Sequence, residues 1–334
     1  MNRFRARRLL LAATLASLPL MTAAATRAAK TAAPDLQGRL EALAERAQPG
    51  VLGVAVLDLQ SGRSWRVNAD RGFPMMSTFK AALGATVLER VDRGALSLDQ
   101  NVTLTRADMR NGPESIRTEF DAGRTQFDVR RLLDAAVSES DNAAADALVR
   151  LLGGPSGVTA FLREHGIEGM RVDRDEAGLA HDIDGLGANA DAPLGESAAA
   201  KLARKRRGFA AYLADPRDTS TPDAAVVFLR KLWRGELLAR ESTALMLEMM
   251  THSPTVPNRL KGGVPAGARL AHKSGTSDTF EGITAAHNDI GILSWPDGRA
   301  VIVAGFLTAS PASAEERDAI FAALAREVAQ TLHP

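Results

Sequence analysis

The chain has 334 residues, 45% hydrophobic and 24% charged, a formal net charge of +1 and no cysteine. This is a globular composition, long enough for one large domain or two ordinary ones, and it excludes disordered and fibrous classes. There can be no disulfide, no thiolate metal site and no lipid-anchored Cys, and the six histidines form no H-E-x-x-H pattern, so neither a metal nor another cofactor is expected.

The chain opens with MNRFRARRLLLAATLASLPLMTAAA. Arg3, Arg5, Arg7 and Arg8 precede an apolar run and then small residues, which is the order of a secretory signal peptide cleaved after Ala25. The run from Leu9 to Met21 is short for a membrane span of about 20 residues. The Arg7-Arg8 pair leaves the twin-arginine route open beside the general one. Removing residues 1–25 takes away four arginines and no acids, so the net charge moves from +1 to −3. The basic character belongs to the leader. A periplasmic protein is expected, with no nucleic-acid partner and no membrane contact after cleavage; a monomer is the default.

Asp35–Ala47 places Leu36, Leu40, Leu43, Ala44 and Ala47 at helical spacing. GVLGVAVLDLQSGRSWRVNAD reads as two strands around a Ser-Gly turn. From Ser77 to about Gly169 the pattern is mostly helical, with segments at Phe127–Glu139, Asp141–Leu152 and Gly157–His165. Thr221-Pro222-Asp223 is a helix start: a cap, Pro in the first turn, then an acid. That helix runs to about Arg234, and another covers Glu241–Met250. Strands return with ARLAHKSG, GITAAHNDIGILSW and RAVIVAGFLTAS, the last two joined at Pro296-Asp297-Gly298, before a final helix over Ala314–Leu332. Strands at both ends flank a helical middle. The expected fold is mixed α/β: an antiparallel sheet from residues 35–74 and 255–334, flanked by helices, with an all-α domain inserted at 75–254.

Three short patterns carry chemistry. In PMMSTFKAALG, Ser77 and Lys80 share a helix face, and the residues around them look like core. A buried Lys loses proton affinity and can act as a base, and a Ser hydroxyl needs such a base to become a nucleophile. Ser140-Asp141-Asn142 supplies a hydroxyl and an amide before an Ala-rich helix. Lys273-Ser274-Gly275-Thr276 places a cation and hydroxyls beside a Gly that lets a ligand approach, a grip for a carboxylate. Each alone has an ordinary structural account: a snorkelling Lys, a helix cap, an edge strand.

Together, and in this order, S-x-x-K, S-D-N and K-[ST]-G are the signature of penicillin-recognising serine enzymes. The chain resembles the class A serine β-lactamases over nearly all of its length after the leader, including LLGGPSGVTAFL, RVDRDEAGL, DPRDTSTP, PNRLKGGVPAGARLAHKSGTS and GITAAHNDIGIL. The resemblance implies a β-lactamase/transpeptidase-like fold and a β-lactam substrate. It implies Ser77 as the acylating nucleophile, Lys80 as holder of its proton and Ser140 as proton donor to the lactam nitrogen. Asn142 would bind the substrate's side-chain amide and orient Lys80. Lys273, Ser274 and Thr276 would hold the carboxylate. Gly275 of the same motif would belong to the substrate-binding set, and the N–H groups of Ser77 and Thr276 would form the oxyanion hole. Glu176, 36 positions after Ser140, matches the acid that activates the deacylating water, which related DD-peptidases lack. Whether Glu176 or Lys80 is the acylation base stays open. Arg174 and Asp218 would pair across the neck of the Glu176 loop as structural residues.

The chain departs from that family in several places. Ala180 stands where an Asn usually helps hold the water. Glu176 and Asp218 are 42 positions apart, which implies an insertion of roughly thirty residues in 180–213, a length usual for functional or disordered loops. Its KLARKRRGF run is expected to be a solvated basic face. Asn288 takes the place of a carboxylate-binding Arg, and Asn111 that of an aromatic gate. A water held at fewer points attacks more slowly, so the expectation is good acylation with weakened deacylation. A DD-peptidase and a slow covalent β-lactam binder are the alternatives.

Overall fold

The computed structural model describes residues 1, 35–187 and 191–333. The expected signal peptide lies outside the described residues. Among the described residues no helix is long and apolar enough to cross a membrane.

Residues 35–333 build a five-stranded antiparallel sheet in the order Ser64–Val67, Val51–Asp58, Ala300–Thr308, His287–Ser294, Arg269–Thr276. Both ends of the chain therefore supply it. The central strand AVIVAGFLT is buried along its whole length, as its unbroken apolar run requires of a strand covered on both faces. Alternation sorts its side chains. Ala300, Ile302, Ala304 and Phe306 join the core shared with the middle helices. Val301, Val303 and Leu307 face the terminal helices Leu36–Arg46 and Ala314–Leu332.

The helix Phe79–Asp92 runs through the helical part with every residue from Phe79 to Glu89 buried. A helix apolar all round belongs inside a protein. The helices Val129–Val137, Asn142–Leu151, Ser156–Glu164 and Arg240–Thr251 pack around it. Short polar side chains fix where the surrounding helices begin. Asp128 accepts from Arg131 N at 2.8 Å, Asp141 from Ala144 N at 2.9 Å and Thr221 from Ala224 N at 3.0 Å. Each satisfies a donor that the first turn leaves free.

Three sequence expectations change. Phe127 lies on a short strand, Gln126–Asp128, so its helix starts only at Val129. The GITAAHNDIGILSW strand breaks at Ala285-Ala286. Ile283–Thr284 turns back on Thr279–Phe280, and the sheet strand begins at His287. The insertion holds a 16-residue helix, Ala198–Leu213, started by Ser197 accepting from Ala200 N. KLARKRRGF lies on that helix, and its Arg204 is buried, paired with Glu196 at 2.8 Å. The charge run is thus only partly a solvated face.

Candidate active site

The site lies between the edge strand Arg269–Thr276 and the start of the Phe79–Asp92 helix. A single 3-10 turn, Met76–Thr78, carries Ser77 into that helix and leaves it half-buried. Lys80, in the first α turn, is 0% exposed. Its Nζ donates to Ser140 O at 2.8 Å and to Asn142 Oδ1 at 2.5 Å, and stands 2.9 Å from Glu176 Oε1. The Glu176 approach is ionic without hydrogen-bond alignment, and Oε1 takes no hydrogen bond from the described residues. A buried Lys side chain is tolerable here because a carboxylate and two further oxygens surround its Nζ.

Lys273 is equally buried and reaches the other side of Ser140, donating to its Oγ at 2.8 Å. Burial, followed by the neighbouring Lys80, pushes the Lys273 ammonium well below the ordinary lysine range. The two lysines thus bracket Ser140, one on its carbonyl and one on its hydroxyl. Ser140 holds a positive φ of 65°, unusual for a residue with a side chain. Its neighbour Asp141 caps the next helix and also accepts from Ile116 N and Ser115 Oγ at 3.0 Å each. The side chain of Asn142 bridges Lys80 and Asn111 O, the latter at 2.7 Å.

Ser274, Gly275 and Thr276 follow Lys273 on the edge strand, and Thr276 is exposed. Gly275 is required by a close approach. A Cβ there would stand 2.4 Å from Met75 O and 3.1 Å from Ser77 N. Only a glycine lets the strand backbone lie this close to the turn that carries Ser77. All the residues singled out from the three motifs, together with Glu176, therefore meet in one place.

Glu176 opens the helix Glu176–Ile183 and is 8% exposed. Its position is set by a residue that the motifs do not flag. Asp146 Oδ1 accepts from Glu176 N at 2.7 Å, and Asp146 Oδ2 accepts from Arg110 Nε at 2.6 Å. Asp146 lies on the helix Asn142–Leu151 that begins just after Ser140, and an acid on that buried face is the available signal. Burial and then the nearby Asp175 push its carboxyl up to about 6, against the pull of Arg110 and the Glu176 N–H. Asp146 therefore holds its proton more tightly folded than at its ordinary 3.8. Its share of stability is full below pH 4 and is lost as pH rises through about 6. In Asp146→Asn that share cannot titrate. The stability of wild type relative to Asp146→Asn should fall between pH 4 and 7, read from urea midpoints. A constant difference would contradict this account of Asp146.

Arg174 and Asp218 face each other as a buried pair, Nε to Oδ2 at 2.6 Å, with side chains 8% and 9% exposed. Arg174 also reaches Asp182 at 2.5 Å and Asp215 at 3.1 Å. Asp218 Oδ1 further accepts from the backbone N–H of Asp173 and Arg174. Both ends of the Glu176 segment are tied together there. Ala180 is exposed, and its methyl offers no hydrogen bond.

Asn288 is fully buried and braces the turn, with Nδ2 donating to Pro74 O at 2.8 Å and Met75 O at 3.0 Å. The cation at the edge strand comes from Arg259, in the PNRLKGG run, which the sequence reading did not single out. Its Nη2 donates to Thr276 Oγ1 at 2.7 Å, and its Nη1 to Asn288 O at 3.0 Å. Asp318, from the last helix, accepts from Arg259 Nε at 3.1 Å and pairs with His287 Nε2 at 2.9 Å. Burial, then Arg259 and Arg317, hold His287 down to about 2, so it is neutral. Its Nδ1 accepts from Arg317 Nε at 3.3 Å, which leaves Nε2–H to donate to Asp318. The absence of an Arg at 288 is the signal in the sequence that another cation serves this strand.

The profile of the Beta-lactamase enzyme family matches residues 35–332. The extended-spectrum β-lactamase PER-1 of Pseudomonas aeruginosa is 32% identical over 95% of this chain and 92% of its own. β-Lactamase L2 of Stenotrophomonas maltophilia is 33% identical over 93% and 91%. Among solved structures, a β-lactamase from Chitinophaga pinensis superposes with a TM-score of 0.75 at 29% identity, covering 89% of this chain and 99% of that one. A reconstructed class A enzyme, the last common ancestor of Gram-negative bacteria, gives 0.73 at 36% identity over 89% and 99%.

Proposed function

The chain belongs to the Beta-lactamase enzyme family as a class A β-lactamase, and from that premise we propose that it opens the lactam ring of penicillins and cephalosporins through an ester on Ser77. The observation that carries this reading is the continuous set of contacts Glu176–Lys80–Ser140–Lys273 around Ser77. Ser77 Oγ attacks the lactam carbonyl and gives up its proton to Lys80 or, through a water, to Glu176. The N–H groups of Ser77 and Thr276 stabilise the oxyanion. As the C–N bond breaks, Ser140 Oγ–H protonates the leaving nitrogen and takes in return the proton that left Ser77, which restores Lys80 and Glu176 for the next step, while Lys273 holds the hydroxyl in place. Glu176 then takes a proton from a water, which attacks the ester, and the proton returns to Ser77 Oγ as the C–O bond breaks.

Lys273, Ser274 and Thr276, backed by Arg259, bind the substrate carboxylate, and Asn142 its side-chain amide. A charged hydrogen bond of this kind makes Arg259→Gln raise KM for a penicillin about ten- to a hundredfold, with kcat little changed. An unchanged KM would remove Arg259 from the carboxylate site. Residues 1–25 support export to the periplasm, and the mature chain acts there as a monomer, consistent with a role in antibiotic resistance.

A second reading, an acyl-enzyme that accumulates, is favoured by Ala180. One experiment separates the two. Protein lacking residues 1–25 is mixed with a chromogenic cephalosporin and, separately, with a D-Ala-D-Ala peptide. Sustained cephalosporin hydrolysis without D-Ala release is expected. A single-equivalent burst leaving a stable adduct, with release of D-Ala from the peptide, would overturn the proposal.

A further inference from the structure

The insertion has no part in the mechanism above, yet it is not a flap over the cleft. Its helix Ala198–Leu213 is pressed on the end of the Glu176 helix. A Cβ on Gly208 would stand 2.4 Å from Gly185 N and 2.5 Å from Ile183 O. Leu179, Tyr212 and Ala285 form a small separate core, with Met76, Ile183 and Phe209 packed against it. Phe209 meets Phe280 in a tilted ring contact, 5.3 Å between centroids, and Arg206 grips Glu281 through three hydrogen bonds of 2.5–2.9 Å. One helix therefore touches the Glu176 helix, the hairpin after Thr276 and the residue before Ser77.

That last contact is the specific one. Met76 has a φ of 46°, in the left-handed region that a side chain disfavours. Such a conformation persists only where the surroundings over-determine it. On the backbone side, Asn288 holds Pro74 O and Met75 O, and Met75 N donates to Asp218 O at 2.9 Å. On the side-chain side stands Tyr212, 3% exposed, its hydroxyl 2.9 Å from Met76 Sδ. Burial pushes the phenol well above its ordinary range, so the hydroxyl stays a donor. The Ser77 N–H is the very next backbone donor after this strained residue.

We propose that Tyr212 is a positioning residue: from the insertion helix it pins Met76, and through Met76 it fixes the Ser77 N–H at the oxyanion hole. The inference rests on Ser77 being the acylated residue. It gives the insertion a task in the chemistry that requires no partner.

The test uses Glu176→Gln, which is expected to hold the acyl-enzyme, with and without Tyr212→Leu. Two quantities are read with one penicillin: the acylation rate by rapid quench and intact mass, and the infrared stretch of the ester carbonyl. Misplacing a donor by a fraction of an ångström should slow acylation about ten- to a hundredfold. The weaker hydrogen bond should move the carbonyl stretch to higher frequency. Unchanged acylation overturns the inference. So does slower acylation with an unmoved carbonyl stretch, because general loosening of the fold would do that without touching the oxyanion hole. If Tyr212→Leu does not fold, Tyr212→Phe keeps the ring, removes only the hydroxyl at Met76 Sδ, and is read by the same two criteria at smaller amplitude. Failure of Glu176→Gln alone to acquire an adduct on Ser77 is a different result, and it sinks the acyl-enzyme reading instead.

Discussion

Ser77→Ala and Lys80→Ala are each expected to lower β-lactam hydrolysis about 10⁴-fold or more, and the double variant to lose no more than either alone. The reason is that the two act as one unit. Without the hydroxyl there is no nucleophile for Lys80 to serve, and without Lys80 the proton-transfer set around Ser140 and Glu176 collapses. Stability should separate what activity does not. Ser77 is half-buried in the middle of a short turn, so its truncation should leave unfolding within about 0.5 kcal/mol of wild type. Lys80 is fully buried against Glu176, and removing it strands a carboxylate that is 8% exposed. Breaking a buried pair from one side costs about 3 kcal/mol or more, unless the stranded acid takes up a proton. Initial rates and urea unfolding on the three variants decide this. A Ser77→Ala protein with more than about one hundredth of wild-type activity would remove Ser77 from the nucleophile's place.

Gly275→Ala is expected to have the second largest effect. The added Cβ meets Met75 O at 2.4 Å, Thr78 N at 3.0 Å and Ser77 N at 3.1 Å. All three are backbone atoms, so no side chain can swing aside. The strand must move away from the turn, and the proposed oxyanion donors, the N–H groups of Ser77 and Thr276, separate. Loss of one such donor costs about 10²–10³ in rate. Acylation measured by intact mass should fall by at least about a hundredfold, while Lys273 and Ser274 still bind the carboxylate and KM changes less than kcat. Near-wild-type acylation in Gly275→Ala would mean that the strand does not approach the turn this closely in solution.

How much of this could be read from the sequence depends on how local each feature is. Ser77 with Lys80, Ser140 with Asn142, and Lys273 through Thr276 are legible because the chemistry fixes residue type and spacing within four positions. The long buried strand Ala300–Thr308 and the helix start at Thr221-Pro222 are legible for the same reason. Asp146 and Arg259 are not, because their meaning lies in contacts 30 and 17 residues away, with Glu176 N and Thr276 Oγ1. The insertion helix was obscured by its charge. Lys201, Arg204, Lys205, Arg206 and Arg207 look like a solvated face until Glu196, Asp184 and Glu281 are found opposite three of them. The break at Ala285-Ala286 was hidden because an apolar run does not show where a strand leaves its sheet. Small residues allow the turn there, and Ala285 instead meets Leu179 and Tyr212.

The most direct measurement is time-resolved intact mass of wild type and Glu176→Gln, mixed with the same penicillin, followed by peptide mapping. The account predicts one substrate mass on Ser77 in both. It should disappear from wild type within seconds to minutes and persist in Glu176→Gln, its decay slowed about 10²–10⁴-fold as expected for loss of a general base. An adduct equally long-lived in wild type, or one mapped away from Ser77, would contradict it.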